Sequence, residues 1–271
     1  MIRRNCLAIV IGFLLFGPLI GAPAKLPKDE LLSLFNQANE AFAQANSMAD
    51  HARAEKLYEK TILTYERMIN EGEIKNAKLY YNLANAYFLK EDLGRAILNY
   101  RRAEKLGGAD DNIRKNLAFA RSRRIDKVLP RTEKRVLQTL FFWHYDFSLQ
   151  TKFFLSCLFF AVVCVAAIAI IWLGRSPGAT AAGVIAGILM LCFVLSVVVE
   201  ARHSARTICG VITAQQVVAR QGDGQNYPAS FKDPLHAGTE FDLLERRPGW
   251  LHIILADGSD CWMPDDAAGL I

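Results

Sequence analysis

Two stretches without a charged side chain, Phe153 to Leu173 and Ala181 to Val199, constrain this chain more than any other feature. At 1.5 Å of rise per residue, a helix over either one spans roughly 30 Å, the thickness of a bilayer's hydrocarbon core. Both are read as transmembrane helices, 153–173 and 181–199. Between them, Gly174-Arg175-Ser176-Pro177-Gly178-Ala179-Thr180 carries the Gly and Pro of a tight helical-hairpin turn. Gly183 and Gly187 lie four apart on one face, where small residues let helices approach closely. The alternative is a hairpin buried inside a water-soluble domain.

At the N-terminus, Arg3 and Arg4 precede an apolar run from Leu7 to Ile20 and then Ala22-Pro23-Ala24. This is the pattern of an export signal over residues 1–24; an uncleaved anchor is the alternative, since Pro23 interrupts the small residues. With the N-terminus inside, parity exports residues 25–152, returns the hairpin turn inside and exports residues 200–271. Both soluble parts then face the periplasm from a bacterial inner membrane. Arg131, Lys134, Arg135, Lys152, Arg202 and Arg206 flank the hairpin on that outer side, against a single Arg175 inside, which runs counter to the positive-inside tendency. The first segment outweighs this count, because long domains translocate largely regardless of charge.

Within 25–126 a period of 34 stands out: Asn82-Leu83-Ala84 recurs as Asn116-Leu117-Ala118, the spacing of tetratricopeptide repeats. Tyr80, Leu83, Ala84, Tyr87, Ala96, Tyr100 and Ala103 supply the large and small positions of one helix–turn–helix unit. Ala38, Asn39 and Phe42, followed by Ala54, Tyr58 and Thr61, form a looser earlier unit with a lengthened turn. Asp110 to Arg124 predicts a further first helix, N-capped by Asp111, that covers the exposed face of the second unit. A stack of this kind presents a concave groove. Asn36, Asn82, Asn85, Asn116 and Arg121 are its candidates for gripping an extended peptide, with plain solvation of that face as the alternative.

Residues 127–152 read as an interfacial linker. Seven basic residues between Arg121 and Arg135 stand against Asp126 and Glu133, and Phe141-Phe142-Trp143-His144-Tyr145 follows. Cations and then aromatics ahead of a membrane helix describe a collar at the lipid–water boundary. A nucleic-acid surface interleaves its aromatics with the charges, so no nucleic-acid partner is expected despite a net charge of +5.

Over 208–271 the pattern changes to short strands: Val211-Ile212, Val217-Val218-Ala219, Phe241-Asp242-Leu243-Leu244, Leu251-His252-Ile253-Ile254-Leu255 and Cys261-Trp262-Met263. Asp257-Gly258 is placed to close a hairpin. The order Val218-Ala219-Arg220, Ala237-Gly238-Thr239, Pro248-Gly249-Trp250, Ala256-Asp257-Gly258 and Trp262-Met263-Pro264 resembles bacterial SH3 domains. Cys261 replaces the glycine usual before that tryptophan, so the final strand is expected to be irregular. Tyr227, Trp250 and Trp262 are candidates for binding peptide or cell-wall material, with barrel core as the alternative for both tryptophans. Cys209 and Cys261, just before the first strand and on the last, are the two cysteines placed for a disulfide in an oxidising periplasm.

His51, His144, His203, His236 and His252 are scattered, without a paired metal-ligand spacing or a neighbouring nucleophile. Gly222-Asp223-Gly224 lacks the strand-to-helix context of a phosphate loop. No catalytic residue, metal or cofactor is expected. The fold class is thus multidomain: an all-α tetratricopeptide domain, a two-helix transmembrane hairpin and an all-β SH3-like barrel.

That domain order, with Tyr81-Asn82-Leu83-Ala84-Asn85-Ala86-Tyr87, Gly94-Arg95-Ala96-Ile97 and Asn116-Leu117-Ala118-Phe119-Ala120-Arg121, resembles the BatE-type proteins of the Bacteroides aerotolerance group. The resemblance implies a non-catalytic scaffold in tolerance of oxidative or envelope stress. It also implies membrane-anchored von Willebrand A-domain proteins as partners, often encoded beside a MoxR-type ATPase. A cell-wall sensor or anchor, whose SH3-like domain binds peptidoglycan, is the alternative.

Overall fold

The computed structural model describes residues 26–108, 110–130 and 132–271. The expected export signal over 1–24 lies outside the described residues.

Five helices open the chain: α1 (Lys28–Ser47), α2 (His51–Asn70), α3 (Ala77–Leu89), α4 (Leu93–Gly107) and α5 (Asp111–Ser122). Short polar side chains start four of them by accepting the otherwise unpaired N–H groups of the first turn. Asp50 caps α2, Asn76 caps α3 and Asp92 caps α4. Asp110 caps α5, accepting from Asn112 and Ile113. The expected cap, Asp111, lies one residue inside the helix and pairs with Arg114 instead. The helices stack as consecutive hairpins whose seams combine small and large residues. Ala38, Ala84, Ala96 and Ala120 have no exposed surface, while Tyr65, Leu83, Tyr87, Tyr100 and Leu117 fill the space between helices. Without a Cβ branch at those alanines, neighbouring helices approach closely enough for the tyrosines to span the gap.

After α5, a short amphipathic helix α6 (Thr132–Leu140) and a single turn α7 (Phe142–Tyr145) lead to two long helices, α8 (Leu149–Leu173) and α9 (Pro177–Arg206). Both are long and apolar enough to cross a membrane. Their large side chains mostly face outward, with Trp172 83% and Ile171 78% exposed. The seam between them is built from Ala166, Ala186, Ser156 and Ser196, and a Cβ on Gly183 would sit 3.2 Å from that of Ala166. Each helix extends beyond the expected boundaries. Ser148 caps α8 ahead of Lys152, and Pro177 is helical because the first position of a helix needs no N–H. The turn therefore shortens to Gly174-Arg175-Ser176, with Gly174 at φ +83.

The remainder forms β1 (Ile208–Ile212), β2 (Gln216–Val217), β3 (Leu235–His236), β4 (Glu240–Arg247), β5 (Trp250–Leu255), β6 (Asp260–Pro264) and β7 (Ala268–Leu270). Five of these make one antiparallel sheet in the order β6-β5-β4-β1-β7, while β2 and β3 pair separately. The sheet has two ends and is not a closed barrel among the described residues. Its core is Ile212, Phe241, Leu251, Ile253, Leu255 and Met263. The Asp257-Gly258 turn closes β5 onto β6 with Gly258 at φ +84. Contrary to expectation, β6 pairs with β5 without interruption, because Cys261 fits the core. The irregularity is in β4, between Leu243 and Glu245.

The sheet is docked on the helices. Val211 and Ile271 belong to the helical core, and Leu98 of α4 lies where a side chain on Gly269 would be. Gly94 packs against the backbone of Ile212 and Thr213, so close that a Cβ would meet the Ile212 carbonyl oxygen at 2.7 Å. Burying Val211 and Leu98 in this seam stabilises it by roughly 1.5–3 kcal/mol each.

Candidate functional site

The polar side chains of the helical stack form a ladder rather than a loose hydrophilic face. Tyrosines from second helices donate to asparagines of first helices: Tyr65 to Asn39 at 2.6 Å, Tyr58 to Asn46 at 2.8 Å and Tyr100 to Asn85 at 2.5 Å. Asn116 Nδ2 donates to the Tyr81 hydroxyl at 2.9 Å and to Asn85 Oδ1 at 3.1 Å. Burial pushes the Tyr100 and Tyr65 phenols above their ordinary range, so each remains a proton donor at neutral pH.

Above this ladder opens a cavity of about 280 Å³ lined by Phe42, Asn85, Phe88, Leu89, Tyr100, Asn116 and Phe119. Its rim is apolar: Phe88 and Phe119 have ring centroids 5.5 Å apart, and Phe119 is 51% exposed. Asn85 Oδ1 already accepts two hydrogen bonds, whereas its Nδ2 makes none among the described residues and is not sealed from solvent. The site thus offers a free amide donor inside an aromatic rim. That suits a segment with exposed backbone carbonyls and an apolar side chain.

Of the sequence candidates, Asn85 and Asn116 come together here. Asn82 is half-buried within reach of Tyr65, and Asn36 is exposed on α1 outside the cavity. The apolar rim was not anticipated. Phe88 and Leu89 follow Asn85, and Phe119 follows Asn116, at the three-to-four-residue spacing that shares one helix face.

Arg121 lies elsewhere. It donates from Nε and Nη2 to the two carboxylate oxygens of Glu240, both at 2.7 Å. Arg124 reaches the same carboxylate at 3.2 Å, and Arg101 lies 3.2 Å from it. Burial alone would lift the Glu240 carboxyl; the Arg121 hydrogen bonds and charge, with Arg101 and Arg124, hold it below the usual range. Beside this cluster, Asp126 accepts from the His236 backbone at 2.6 Å, from the His236 ring at 2.9 Å and from Thr239 at 2.7 Å. Those bonds outweigh burial and keep the Asp126 carboxyl low. Residues expected in the groove and the collar therefore fasten the sheet to the helices.

On the sheet, Trp262 is 8% exposed, stacked on His252 at 4.6 Å and covered by the Arg247 guanidinium at 4.6 Å. It is packed, but outside the sheet core. Trp250 is half-buried at the start of β5. Tyr227 is exposed with its ring against Gly222. The expected Cys209–Cys261 disulfide is not formed: both thiols are free, on β1 and β6, with β4 and β5 between them. Strands about 4.8 Å apart put that pair beyond the Cα separation a disulfide spans. The neighbour of β1 at the chain's end is β7, a strand too short to be read from its three residues.

No family model matches this chain, and no curated protein matches it.

Proposed function

We propose that this chain is a non-catalytic, membrane-tethered scaffold whose tetratricopeptide-type groove holds an extended segment of a partner protein. The observation that carries the reading is the cavity over Asn85 and Asn116, with its free amide donor and its rim of Phe42, Phe88, Leu89 and Phe119. The stacked hairpins with alanine seams support a tetratricopeptide-type array. The order β7-β1-β4-β5-β6, with a one-turn 3₁₀ helix at Asp265–Ala267 leading into β7, supports an SH3-like fold for the sheet. Docked on α4 and α5, the sheet restricts the orientation of the repeat, and the α8–α9 hairpin confines both to the membrane surface. Such confinement raises the effective concentration of partners in the same membrane.

In this reading the chain is a BatE-type protein of a bacterial inner membrane. Its soluble parts face the periplasm, its partners are membrane-anchored von Willebrand A-domain proteins, and its setting is aerotolerance or envelope stress. The test is co-purification of such a partner from membranes with wild type and with Asn85→Ala/Phe119→Ala. Loss of the partner by the folded double variant is the expected result; undiminished recovery would overturn the groove. Reporters active only in the periplasm or only in the cytoplasm, placed after Ile271 and near Gly108, test the orientation. Cytoplasmic activity at both sites would reject it.

A further inference from the structure

Ahead of the α8–α9 hairpin the chain exposes a run of large apolar side chains: Val136, Leu137 and Leu140 of α6, then Phe141, Phe142 and Tyr145. Val136, Leu137 and Leu140 are spaced by one, three and four residues, which puts them on a single helix face. Contiguous apolar surface of this kind marks an interaction site, and its occupant is decided by where the surface sits.

Contacts with the hairpin fix that level. The Phe142 ring lies 6.2 Å from that of Phe147, which stacks on Phe193 of α9 at 6.3 Å; Phe193 in turn stacks on Phe159 of α8 at 5.9 Å. His144 Nδ1 meets Ser196 Oγ at 2.6 Å, and the buried Lys152 donates to the His144 carbonyl oxygen as well as to Glu200. Ser196 and Phe193 stand three and six residues inside the charge-free run that ends at Val199. At 1.5 Å per residue that is about 4.5 and 9 Å along the axis. The single turn α7 is therefore held beside the last two turns of the apolar run, not beyond them.

We propose that α6 and α7 form a third lipid-contacting element, lying along the bilayer surface with Val136, Leu137, Leu140, Phe141 and Phe142 among the upper acyl chains. The level set by Phe193 and Ser196 matches the roughly 5–10 Å to which amphipathic helices sink their apolar face. A water-soluble partner does not reach side chains at that depth, whereas acyl chains already surround the hairpin there. Asp126 is held to the sheet by His236 and Thr239, so only residues 127–131 separate that clasp from α6. Five residues reach at most about 18 Å, which keeps the helical stack and the sheet against the membrane. The proposal rests on the membrane-spanning reading of α8 and α9 and does not depend on the groove.

The test uses the full chain in phosphatidylcholine nanodiscs, with benzoyl-phenylalanine in place of Leu140, Leu63 or Ile171, ultraviolet irradiation and mass spectrometry of the adducts. Leu140 and Leu63 of α2 are both 61% exposed, so exposure alone predicts equal labelling. Position 140 is expected to carry phospholipid about tenfold more often than position 63, the partition that burying one leucine side chain sets. Where circular dichroism shows that a replaced chain fails to fold, quenching of Trp143 by lipids brominated on the acyl chain, read as wild type minus Trp143→Phe, decides the same point. Labelling at position 140 no greater than at position 63, with position 171 labelled, would overturn the proposal, as would a protein adduct at position 140 in place of lipid. Absence of lipid adduct at position 171 would instead overturn the spanning hairpin on which the proposal rests.

Discussion

Glu240→Gln isolates what holds the sheet to the helical stack. The carboxylate receives two hydrogen bonds from Arg121 at 2.7 Å and one from Arg124 at 3.2 Å, with Arg101 also beside it. The amide keeps the shape but removes the anion that three guanidinium groups share. Breaking a buried ion pair costs about 3–5 kcal/mol. Glu240 and Arg121 retain 21% and 34% of their side-chain surface, so solvent screening lowers the expected loss to about 2–4 kcal/mol. For a chain of this size that corresponds to a melting shift of roughly 4–16 °C, with amide exchange accelerating in β1, β4 and α5. The pH dependence has a definite sign. Glu240 and Asp126 are held below their ordinary values when folded, so their contribution is complete above the unfolded carboxyl value of about 4. It is lost as pH falls through the lower folded values. In Glu240→Gln the acid-side loss shrinks to the Asp126 part. Melting within about 1 °C of wild type, with unchanged exchange in β1, would refute the clasp.

Gly94→Ala would ordinarily firm a helix by up to about 1 kcal/mol, but the new Cβ meets backbone of Ile212 and Thr213 that cannot rotate away. A net loss of about 1–3 kcal/mol and faster exchange in β1 are expected; a stabilised protein would show that the seam is loose. Cys261 is buried and its thiol is pushed up to about 12 by that burial, so a maleimide at about pH 8 should label it only after unfolding. An oxidant should leave Cys209 and Cys261 uncrosslinked; peptide mapping that recovers the disulfide would contradict the strand order. Lys152→Met leaves Glu200 without its partner at the end of the hairpin and should destabilise by about 2–4 kcal/mol, largely recovered in Lys152→Met/Glu200→Leu. Unfolding in detergent, with the double variant no better than the single, would show that the pair is incidental.

Much of the architecture could be read from periodicity. The 34-residue recurrence anticipates the pairing of α3 with α4 and the placement of α5, because each helix must keep small residues where its neighbour crosses. The hairpin is evident because a charge-free run of that length has few other uses. Strands β1, β4, β5 and β6 are visible in their apolar content, and β2 overlaps the strand read at Val217-Val218-Ala219 at Val217 alone, whereas β3 and β7 have only two or three residues each and carry no period. Taking β6 for the last strand led directly to the disulfide expectation. Asn85 and Asn116 were found through the repeat; the aromatic rim was passed over because exposed phenylalanines look like core until the partner helix is seen to leave them open.

The docking of the sheet has no periodic signature at all, which explains how the basic run was misread. Its chemistry lies in single positions far apart in sequence: Gly94 against Ile212, Leu98 against Gly269, and Glu240 against three arginines. Taken locally, Arg121 to Arg135 is a predominantly cationic stretch before a long apolar helix. In the fold it divides. Arg121, Arg124 and Asp126 turn inward to hold Glu240, His236 and Thr239, while the segment beyond them exposes Val136, Leu137, Leu140, Phe141 and Phe142. One carboxylate on a strand more than a hundred residues away decides which cations of that run turn inward. A charge count confined to the linker cannot contain that information, because the deciding partner is distant in the chain.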